Sequence, residues 1–218
     1  MEIVIASKNK GKIKEIRHFF SNSLLPQNIR EIKWLSFEDF VGFPDVDEGS
    51  ESFTENAKLK AQQIAEFTGK TALADDSGLE VDALGGNPGV TSSRYAGPDP
   101  TDEKNRKKLL SELREISSIK KRCARFKCVM VLYSLGNDFI NISEGVCEGK
   151  IGFTETGENG FGYDSIFIPD GFDKTMAELS NSEKNGISHR GKALEGLAKF
   201  LKSKTNAEKN ILTGEQND

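Results

Sequence analysis

The chain has 218 residues, with 30 Lys and Arg against 34 Asp and Glu, a net charge of −4 and 36% hydrophobic residues. This length is enough for one large domain with a substantial core, and the slightly acidic balance disfavours general attraction to nucleic acid or anionic membranes. No apolar stretch approaches the ~20 residues of a membrane span, and the opening residues Met1-Glu2-Ile3 do not form a basic signal region. We therefore do not expect a membrane or secreted protein.

The cysteines Cys123, Cys128 and Cys147 are an odd number without CxxC spacing, and the chain has two histidines. A disulfide framework and a zinc finger are both disfavoured by this pattern. We expect reduced thiols in a cytoplasmic protein. Cys128 lies in an apolar run, which predicts a small core residue rather than a nucleophile.

The first half of the chain alternates patterns of strand and helix. Consecutive apolar residues predict a buried strand over Glu2–Ala6, and a weaker strand follows near Glu31–Leu35. Between them, Ile13, Ile16, Phe20 and Leu24 have helical spacing, and Pro26 ends that helix. A second helix begins at Ser52, packs through small residues and ends at Gly69. Short strands are predicted over Thr71–Ala74 and Leu79–Leu84.

The second half adds a long hairpin and two helices. We predict a helix over Asp102–Ile116, a strand over Ala124–Leu135, its hairpin partner over Phe139–Val146, and a last helix that begins at Ser188. This mixture of strands and helices indicates an α/β fold. The residues from Ser203 to Asp218 are mostly polar, and we expect them to form a frayed tail.

The segment Ser7-Lys8-Asn9-Lys10-Gly11-Lys12 joins the first strand to the first helix. A helix start presents unpaired N–H groups and the positive end of the helix dipole, and Lys12 adds a full charge, so the segment suits a phosphate group. It is not a Walker A loop, because the leading glycine and the Ser or Thr after the lysine are missing. A solvated basic turn is the alternative.

The acidic pair Asp75-Asp76 follows a short apolar strand and precedes Ser77-Gly78. Adjacent carboxylates at the end of a buried strand are costly unless a cation or hydrogen-bond donors compensate them, and side-chain alternation directs only one of them toward a site. Carboxylates bind Mg²⁺ together with substrate phosphates, so we predict a magnesium site here. The alternative is that Asp76 only caps a turn. The acidic loop Asp45–Glu51 is a candidate source of a second ligand.

Two further segments suit a nucleotide. In Asn159–Asp164, glycines let a ligand approach the backbone and aromatic rings can stack on a base, although a turn that buries both rings is the alternative. In Glu183–Lys192, several cations fall at a predicted helix start, where they oppose the helix dipole unless an anion binds. His189 and Arg190 can donate hydrogen bonds to a carbonyl group, whereas a basic surface helix is the alternative.

Five segments of the chain, in order, resemble the inosine/xanthosine triphosphate pyrophosphatase family: Ser7–Lys12, Phe53–Ala57, Ala74–Leu79, Gly160–Asp164 and Ile187–Gly191. The resemblance extends from Met1 to about Leu201. It implies a long mixed central sheet with flanking helices and two lobes around an active-site cleft, formed by a single domain over residues 1–202 before the tail 203–218. It also implies a homodimer that hydrolyses ITP, dITP and XTP to the monophosphate and pyrophosphate, without nucleic acid or membrane partners.

The same resemblance implies roles for individual residues. Asp76 is the expected catalytic acceptor and a Mg²⁺ ligand, and Glu48 is the expected second metal ligand, with Asp47 and Glu51 as alternatives. The expected substrate-binding residues come from four of the motifs and are Ser7, Lys8, Asn9, Lys10, Gly11, Lys12, Ser77, Phe161, Gly162, Tyr163, Asp164, Lys184, His189 and Arg190.

These residues lead to a hypothesis for the reaction. Asp76, with Asp75 nearby, activates a water that attacks the phosphorus between nucleoside and pyrophosphate, and donors from His189 or Arg190 recognise the 6-oxo group of the base. Three alternatives stay open: a pyrophosphatase for pyrimidine or modified nucleotides, a nucleotide-binding sensor without turnover, and a purely structural interaction module.

Overall fold

The structure is a computed structural model that describes residues 1–21, 24–46, 49, 52–136 and 139–213, without the side chains of residues 139–140 and 205–213. A six-stranded mixed sheet forms its centre. In chain order the elements are β1 (Glu2–Ile5), α1 (Lys10–Phe20), α2 (Gln27–Arg30), β2 (Lys33–Leu35), α3 (Phe53–Thr68), β3 (Thr71–Val81), α4 (Asp102–Glu112), β4 (Cys123–Tyr133), β5 (Phe139–Ile151), β6 (Phe167–Pro169), α5 (Asn181–Ile187) and α6 (His189–Thr213).

The strands lie in the order β2-β1-β3-β4-β5-β6. The first three are parallel, because helical crossovers connect them, whereas β3, β4, β5 and β6 pair in antiparallel fashion. The predicted hairpin of β4 and β5 is confirmed, and β5 extends to Ile151 rather than ending at Val146. The predicted fold class, a long mixed sheet with flanking helices, is also confirmed.

Helices cover both faces of the sheet. Apolar residues of α1 and α6 pack on one face, around Ile5, Leu73 and Met130, and the small residues of α3 pack on the other. A third apolar cluster lies at the far end of the sheet and includes Leu109 of α4 and Phe167 of β6. Apolar clusters therefore lie at both ends of the sheet, and the division into two lobes stays a prediction.

The acidic pair lies within a strand rather than at its end. We predicted that one strand ends at Ala74 and another begins at Leu79, and this prediction is wrong. Strand β3 is continuous because β4 pairs with it along its length, from Ala72 opposite Tyr133 to Val81 opposite Ala124. Strand β1 pairs with β3 only as far as Leu73, so the edge of β3 that carries the acidic pair is not covered by β1.

The last helix begins where it was predicted, after Ser188, whose hydroxyl accepts a hydrogen bond from the N–H of Gly191, but a separate short helix precedes it. Ser180 and Glu183 form a capping box that begins α5, and Ser188 has extended backbone angles that separate α5 from α6. Lys184 therefore lies in the last turn of α5, whereas His189, Arg190 and Lys192 lie in the first turn of α6. The helix α6 continues to Thr213, and the domain boundary at residue 202 stays a prediction. Within the described residues, no helix is long and apolar enough to cross a membrane.

The close packing of α6 on β5 generates a prediction about stability. A Cβ atom at Gly145 of β5 would lie 2.0 Å from the carbonyl oxygen of His189, whereas a Cβ atom at Gly186 of α5 would meet nothing within 4 Å. We expect Gly145→Ala to lower the free energy of unfolding by about 1–3 kcal/mol through overpacking. The control Gly186→Ala should raise it by up to about 1 kcal/mol, because alanine favours a helix. Urea denaturation measures both, and equal midpoints for the two variants would contradict the predicted packing.

Candidate active site

A cavity of about 310 Å³ lies against the edge of β3 that carries the acidic pair. Its wall also includes the β1–α1 loop, the turn at residues 89–94, the loop at residues 161–164 and the first turn of α6. Most of the predicted site residues meet at this wall: Ser7, Lys8, Asn9, Lys12, Asp76, Ser77, Phe161, Gly162, Tyr163, Asp164, Lys184, His189 and Arg190.

Two of the predicted substrate-binding residues, Lys10 and Gly11, are not part of the cavity wall. The side chain of Lys10 is 81% exposed, and its Nζ lies 3.9 Å from a carboxylate oxygen of Glu38. A Cβ atom at Gly11 would lie 2.6 Å from the ring of Phe161. Because Gly11 has no side chain, α1 can pack closely against Phe161. Gly11 therefore supports the cavity wall without lining it.

Side chains of the β1–α1 loop accept hydrogen bonds from some of the backbone N–H groups at the start of α1. Asn9 is the N-cap, and its side-chain oxygen accepts a hydrogen bond from the backbone N–H of Lys12 at 3.1 Å. The hydroxyl of Ser7 accepts a hydrogen bond from the N–H of Asn9. Lys8 reaches across the cavity mouth to Asp45, with 2.7 Å between Nζ and Oδ1. Lysine side chains from this loop therefore face the cavity together with a helix N-terminus, as a phosphate group requires.

Asp75 is buried on the face of the sheet that α1 and α6 cover. Its Oδ1 lies 2.5 Å from Lys12 Nζ, and its Oδ2 accepts a hydrogen bond from Arg190 Nε at 2.8 Å. The thiol of Cys128 donates to the same Oδ2 at 3.1 Å. Burial alone would raise the pKa of Asp75, but the charges of Arg190 and Lys12 outweigh it and hold that pKa well below its usual range. Asp75 is therefore ionised and fully engaged.

Arg190 joins Asp75 to a second carboxylate. Its Nη2 donates to Ser77 Oγ at 2.9 Å, and its Nη1 donates to Glu15 Oε2 at 2.6 Å. Glu15, from α1, also lies 2.6 Å from Lys184 Nζ, which in turn contacts Asp164 at 2.7 Å. The cations that were predicted to await an anion are therefore paired with carboxylates of the chain. This pairing holds α1, β3, α5 and α6 together around the cavity.

Asp76 points to the opposite face of the sheet, as strand alternation predicts. Its Oδ1 accepts a hydrogen bond from Lys60 Nζ at 2.9 Å, and its Oδ2 accepts one from Asn56 Nδ2 at 3.2 Å. Both partners lie on α3, and all three side chains are buried. A cation and an amide therefore compensate the carboxylate that lies beside the cavity.

The described residues contain no group of three or more His, Cys, Asp or Glu side chains arranged to hold a metal ion. Magnesium does not require such a group, since it commonly binds through one or two carboxylates with water and substrate phosphates. Asp76 offers a carboxylate at the wall of a cavity that also has cationic groups for phosphate, so it suits a magnesium ion of that kind. Glu48 and its alternatives Asp47 and Glu51 lie outside the described residues.

Phe161 and Tyr163 have different environments in the aromatic loop. The Phe161 ring faces the cavity, with Lys184 Nζ 5.1 Å and Arg190 Cζ 5.6 Å from its centroid. Tyr163 is 4% exposed, and its hydroxyl donates to the carbonyl of Ser92 at 2.8 Å. Asp164 accepts a hydrogen bond from the N–H of Phe161 at 2.8 Å. Phe161 is therefore placed to stack on a ligand, while Tyr163 and Asp164 hold the loop in shape.

His189 is buried at the start of α6, where its ring stacks on Phe126 with 4.7 Å between centroids. Burial, together with the charge of Arg190, holds the pKa of His189 well below its usual value, so the imidazole is neutral. Among the described residues, its Nδ1 has no hydrogen-bond partner. A buried polar atom of this kind is costly unless a ligand satisfies it, and His189 lies on the cavity wall.

Sequence reasoning missed three residues that complete the charge network: Glu15, Asn56 and Lys60. Asn56 and Lys60 are four residues apart on the buried face of α3, so a polar pair within a stripe of small apolar residues was an available signal. Glu15 had no comparable signal, because its partners Lys184 and Arg190 lie about 170 residues away in the chain.

Known proteins match this chain over almost its whole length. Residues 3–200 match the model of the Ham1 family. The dITP/XTP pyrophosphatase of Oceanobacillus iheyensis is 44% identical over 200 residues, which cover 92% of this chain and 98% of the relative. That of Elusimicrobium minutum is 46% identical over 204 residues, which cover 93% of this chain and 100% of the relative.

Solved structures of Ham1 proteins have the same fold as this chain. A HAM1 protein from Coxiella burnetii superposes with a TM-score of 0.80 at 43% identity, over 93% of this chain and 99% of that one. The Staphylococcus aureus Ham1 protein superposes with a TM-score of 0.79 at 40% identity, over 94% and 100% of the two chains. These matches confirm the family resemblance found in the motifs. The chain belongs to the Ham1 family.

Proposed function

We propose that the chain hydrolyses the deaminated purine nucleotides ITP, dITP and XTP to the monophosphate and pyrophosphate, and so removes them from the nucleotide pool. One observation supports this proposal above all: a single cavity joins cationic groups around the carboxylate of Asp76 to an aromatic ring and a neutral imidazole. Relatives named dITP/XTP pyrophosphatase, at 44–46% identity, support the same reaction.

Asp76 is the proton acceptor in this proposal. The neighbouring Asp75 is unsuited to that role, because it pairs with two cations, Lys12 and Arg190, which hold its pKa well below the usual range. Asp76 also lies at the cavity wall, where it can orient a water and accept its proton as that water attacks phosphorus. Lys60 Nζ lies 2.9 Å from Asp76 Oδ1 and compensates the negative charge of this carboxylate.

Asp76 would also hold Mg²⁺, with Glu48 as the proposed second ligand. When bound, the ion neutralises phosphate charge and so stabilises the transferring phosphoryl group. Lys12 and the N-terminus of α1 would bind the phosphates of the substrate, and Lys8 would close over them from the cavity mouth.

The base would stack on Phe161, which faces the cavity from the loop at residues 161–164. Nδ1 of His189, which is buried and unpaired among the described residues, can donate a hydrogen bond to the 6-oxo group of hypoxanthine or xanthine. Adenine presents an amino group in the same place, so its binding leaves a buried donor unpaired at a cost of about 1–3 kcal/mol. That cost corresponds to roughly tenfold to a hundredfold discrimination.

We also propose a homodimer in the cytoplasm that binds a purine nucleoside triphosphate, rather than nucleic acid or a membrane. The family resemblance supports the dimer. The mildly acidic net charge of −4 supports the absence of a nucleic acid partner.

The first prediction concerns substrate and metal. Pyrophosphate release should be fast from ITP, dITP and XTP with Mg²⁺, at least tenfold slower in kcat/KM from GTP, ATP and dTTP, and abolished by excess chelator. A coupled assay for pyrophosphate measures all six nucleotides. Rapid pyrophosphate release from dTTP would contradict the purine preference and indicate a pyrimidine nucleotide substrate. Tight ITP binding without pyrophosphate release would indicate a nucleotide sensor.

The second prediction concerns the proton acceptor. Asp76→Asn keeps the size of the side chain but removes its charge, so kcat for ITP should fall by about 10²–10⁴-fold. Asp82→Asn, on a 49% exposed carboxylate that pairs with Arg125 at the end of β3, is the control and should keep kcat within about twofold. Near-full turnover by Asp76→Asn would exclude Asp76 as the acceptor.

The third prediction concerns pH. Because the pKa of His189 lies well below its usual value, the imidazole stays neutral as the pH falls past the ordinary histidine range of ~6.5. The ratio of kcat/KM for ITP to that for ATP should therefore be constant from about pH 6 to about pH 8, below the pH at which the hypoxanthine base itself ionises. Competition assays at each pH measure this ratio, and a preference for ITP that appears only below about pH 6.5 would show that imidazolium reads the base.

A further inference from the structure

Two side chains of helix α4 form hydrogen bonds with the backbone of Gly162, the residue that follows Phe161. Asp102 Oδ2 accepts a hydrogen bond from the N–H of Gly162 at 2.7 Å, and Arg106 Nη1 donates one to the carbonyl of Gly162 at 2.8 Å. Asp102 and Arg106 are four residues apart and so share one face of the helix. Both hydrogen-bonding groups of a single loop residue are therefore held by one pair of charged side chains.

The same arginine holds the loop at a second point. Arg106 Nε donates to Glu155 Oε2 at 2.8 Å. Glu155 precedes Phe161 and Gly162 follows it, so the loop is fixed to α4 on both sides of the aromatic ring. Hydrogen bonds between charged partners, or between a charged group and a peptide, are stronger than those between neutral groups.

Helix α4 is itself anchored to the body of the protein. The side-chain oxygen of Asn105 accepts a hydrogen bond from the N–H of Ala96 at 2.7 Å, and its amide donates to the carbonyl of Ser93 at 3.0 Å. Leu109, one turn further along, is fully buried in the core. Since the helix cannot shift without breaking these contacts, it is a rigid support for the loop.

The hydrogen bonds from α4 restrict the position of the Phe161 ring. On its cavity side, the N–H of Phe161 is held by Asp164, which is paired with Lys184. Gly162 has a φ of +62°, a conformation that glycine tolerates and that turns its N–H and carbonyl toward α4. Asp164 holds the N–H of Phe161, and α4 holds the N–H and carbonyl of Gly162. The backbone of Phe161 is therefore restrained on both sides.

We propose that Asp102 and Arg106 are positioning residues that hold the Phe161 ring ready to stack on the purine base. The proposal rests on the proposed function, because a positioned ring matters only if a nucleotide binds. Loosening the loop weakens stacking of the base without moving Asp76, Lys60 or Lys12, which lie on other elements. The effect therefore falls on KM rather than on kcat.

The test compares neighbouring carboxylates of the first turn of α4. Asp102→Ala should raise KM for dITP about tenfold, part of the value of a full base–aromatic stack, with kcat within about twofold. Asp102→Asn keeps an oxygen that accepts from the N–H of Gly162, and it should recover most of the loss. Glu103→Ala is the matched control, because it removes an equal charge from the same helix start. Glu103 pairs with Lys107 on its own helix rather than with the loop, so this variant should keep the wild-type KM.

Asp102 lines the cavity and could contact a ligand directly, whereas Arg106 does not line it. A second pair of variants therefore tests Arg106. Arg106→Met should raise KM as Asp102→Ala does, while Lys107→Met should leave it unchanged. Thermal unfolding checks that each variant and its control have similar midpoints, and Arg106→Met decides the question if Asp102→Ala does not fold.

The outcomes separate this proposal from the proposed function. A KM increase confined to Asp102→Ala and Arg106→Met, with recovery in Asp102→Asn, supports the positioning role. If wild type hydrolyses dITP but these variants match their controls, or if Asp102→Asn loses as much as Asp102→Ala, the positioning role is wrong while the proposed function stands. Wild type that releases no pyrophosphate from dITP, ITP or XTP overturns the proposed function itself.

Discussion

The buried carboxylate of Asp75 is the interaction on which the rest of the site depends. An ionised carboxylate inside a protein requires compensating charge, and here it comes from Lys12 at the start of α1 and Arg190 at the start of α6. Removing one partner of such a buried pair typically costs about 3–5 kcal/mol. The two helices are therefore fixed to β3 at the point where the cavity opens, and the same bonds that stabilise the fold orient the side chains of the site.

The alternation of side chains along β3 separates two roles that the sequence places next to each other. Asp75 faces α1 and α6, where several donors engage it, and it serves the structure. Asp76 faces α3, where Lys60 and Asn56 bind it beside the cavity, and it is the residue suited to chemistry. Because β1 stops pairing with β3 at Leu73, the strand can carry both carboxylates and still leave one edge open to a ligand.

Sequence reasoning was most successful where a motif and its neighbours lie in one short segment. Phe161 lies at the same cavity wall as most of the other predicted site residues, as glycines beside an aromatic residue suggested. It was less successful where a partner is distant: the cations Lys184 and Arg190 suggested a missing anion, and the structure supplies Glu15. The start of α6 at Ser188 was predicted, but α5 was not, because a seven-residue helix has too few turns to produce a clear periodicity.

The sequence alone determined the α/β class, the β4–β5 hairpin and the family, because local periodicity and ordered short motifs are written in contiguous residues. Only the tertiary structure decided that β3 is continuous, that Asp75 and Asp76 have different partners, and that α4 supports the loop of Phe161. Those features depend on strand register and on pairs of residues brought together from distant parts of the chain. The energies that select them arise only once burial removes water from the charged groups.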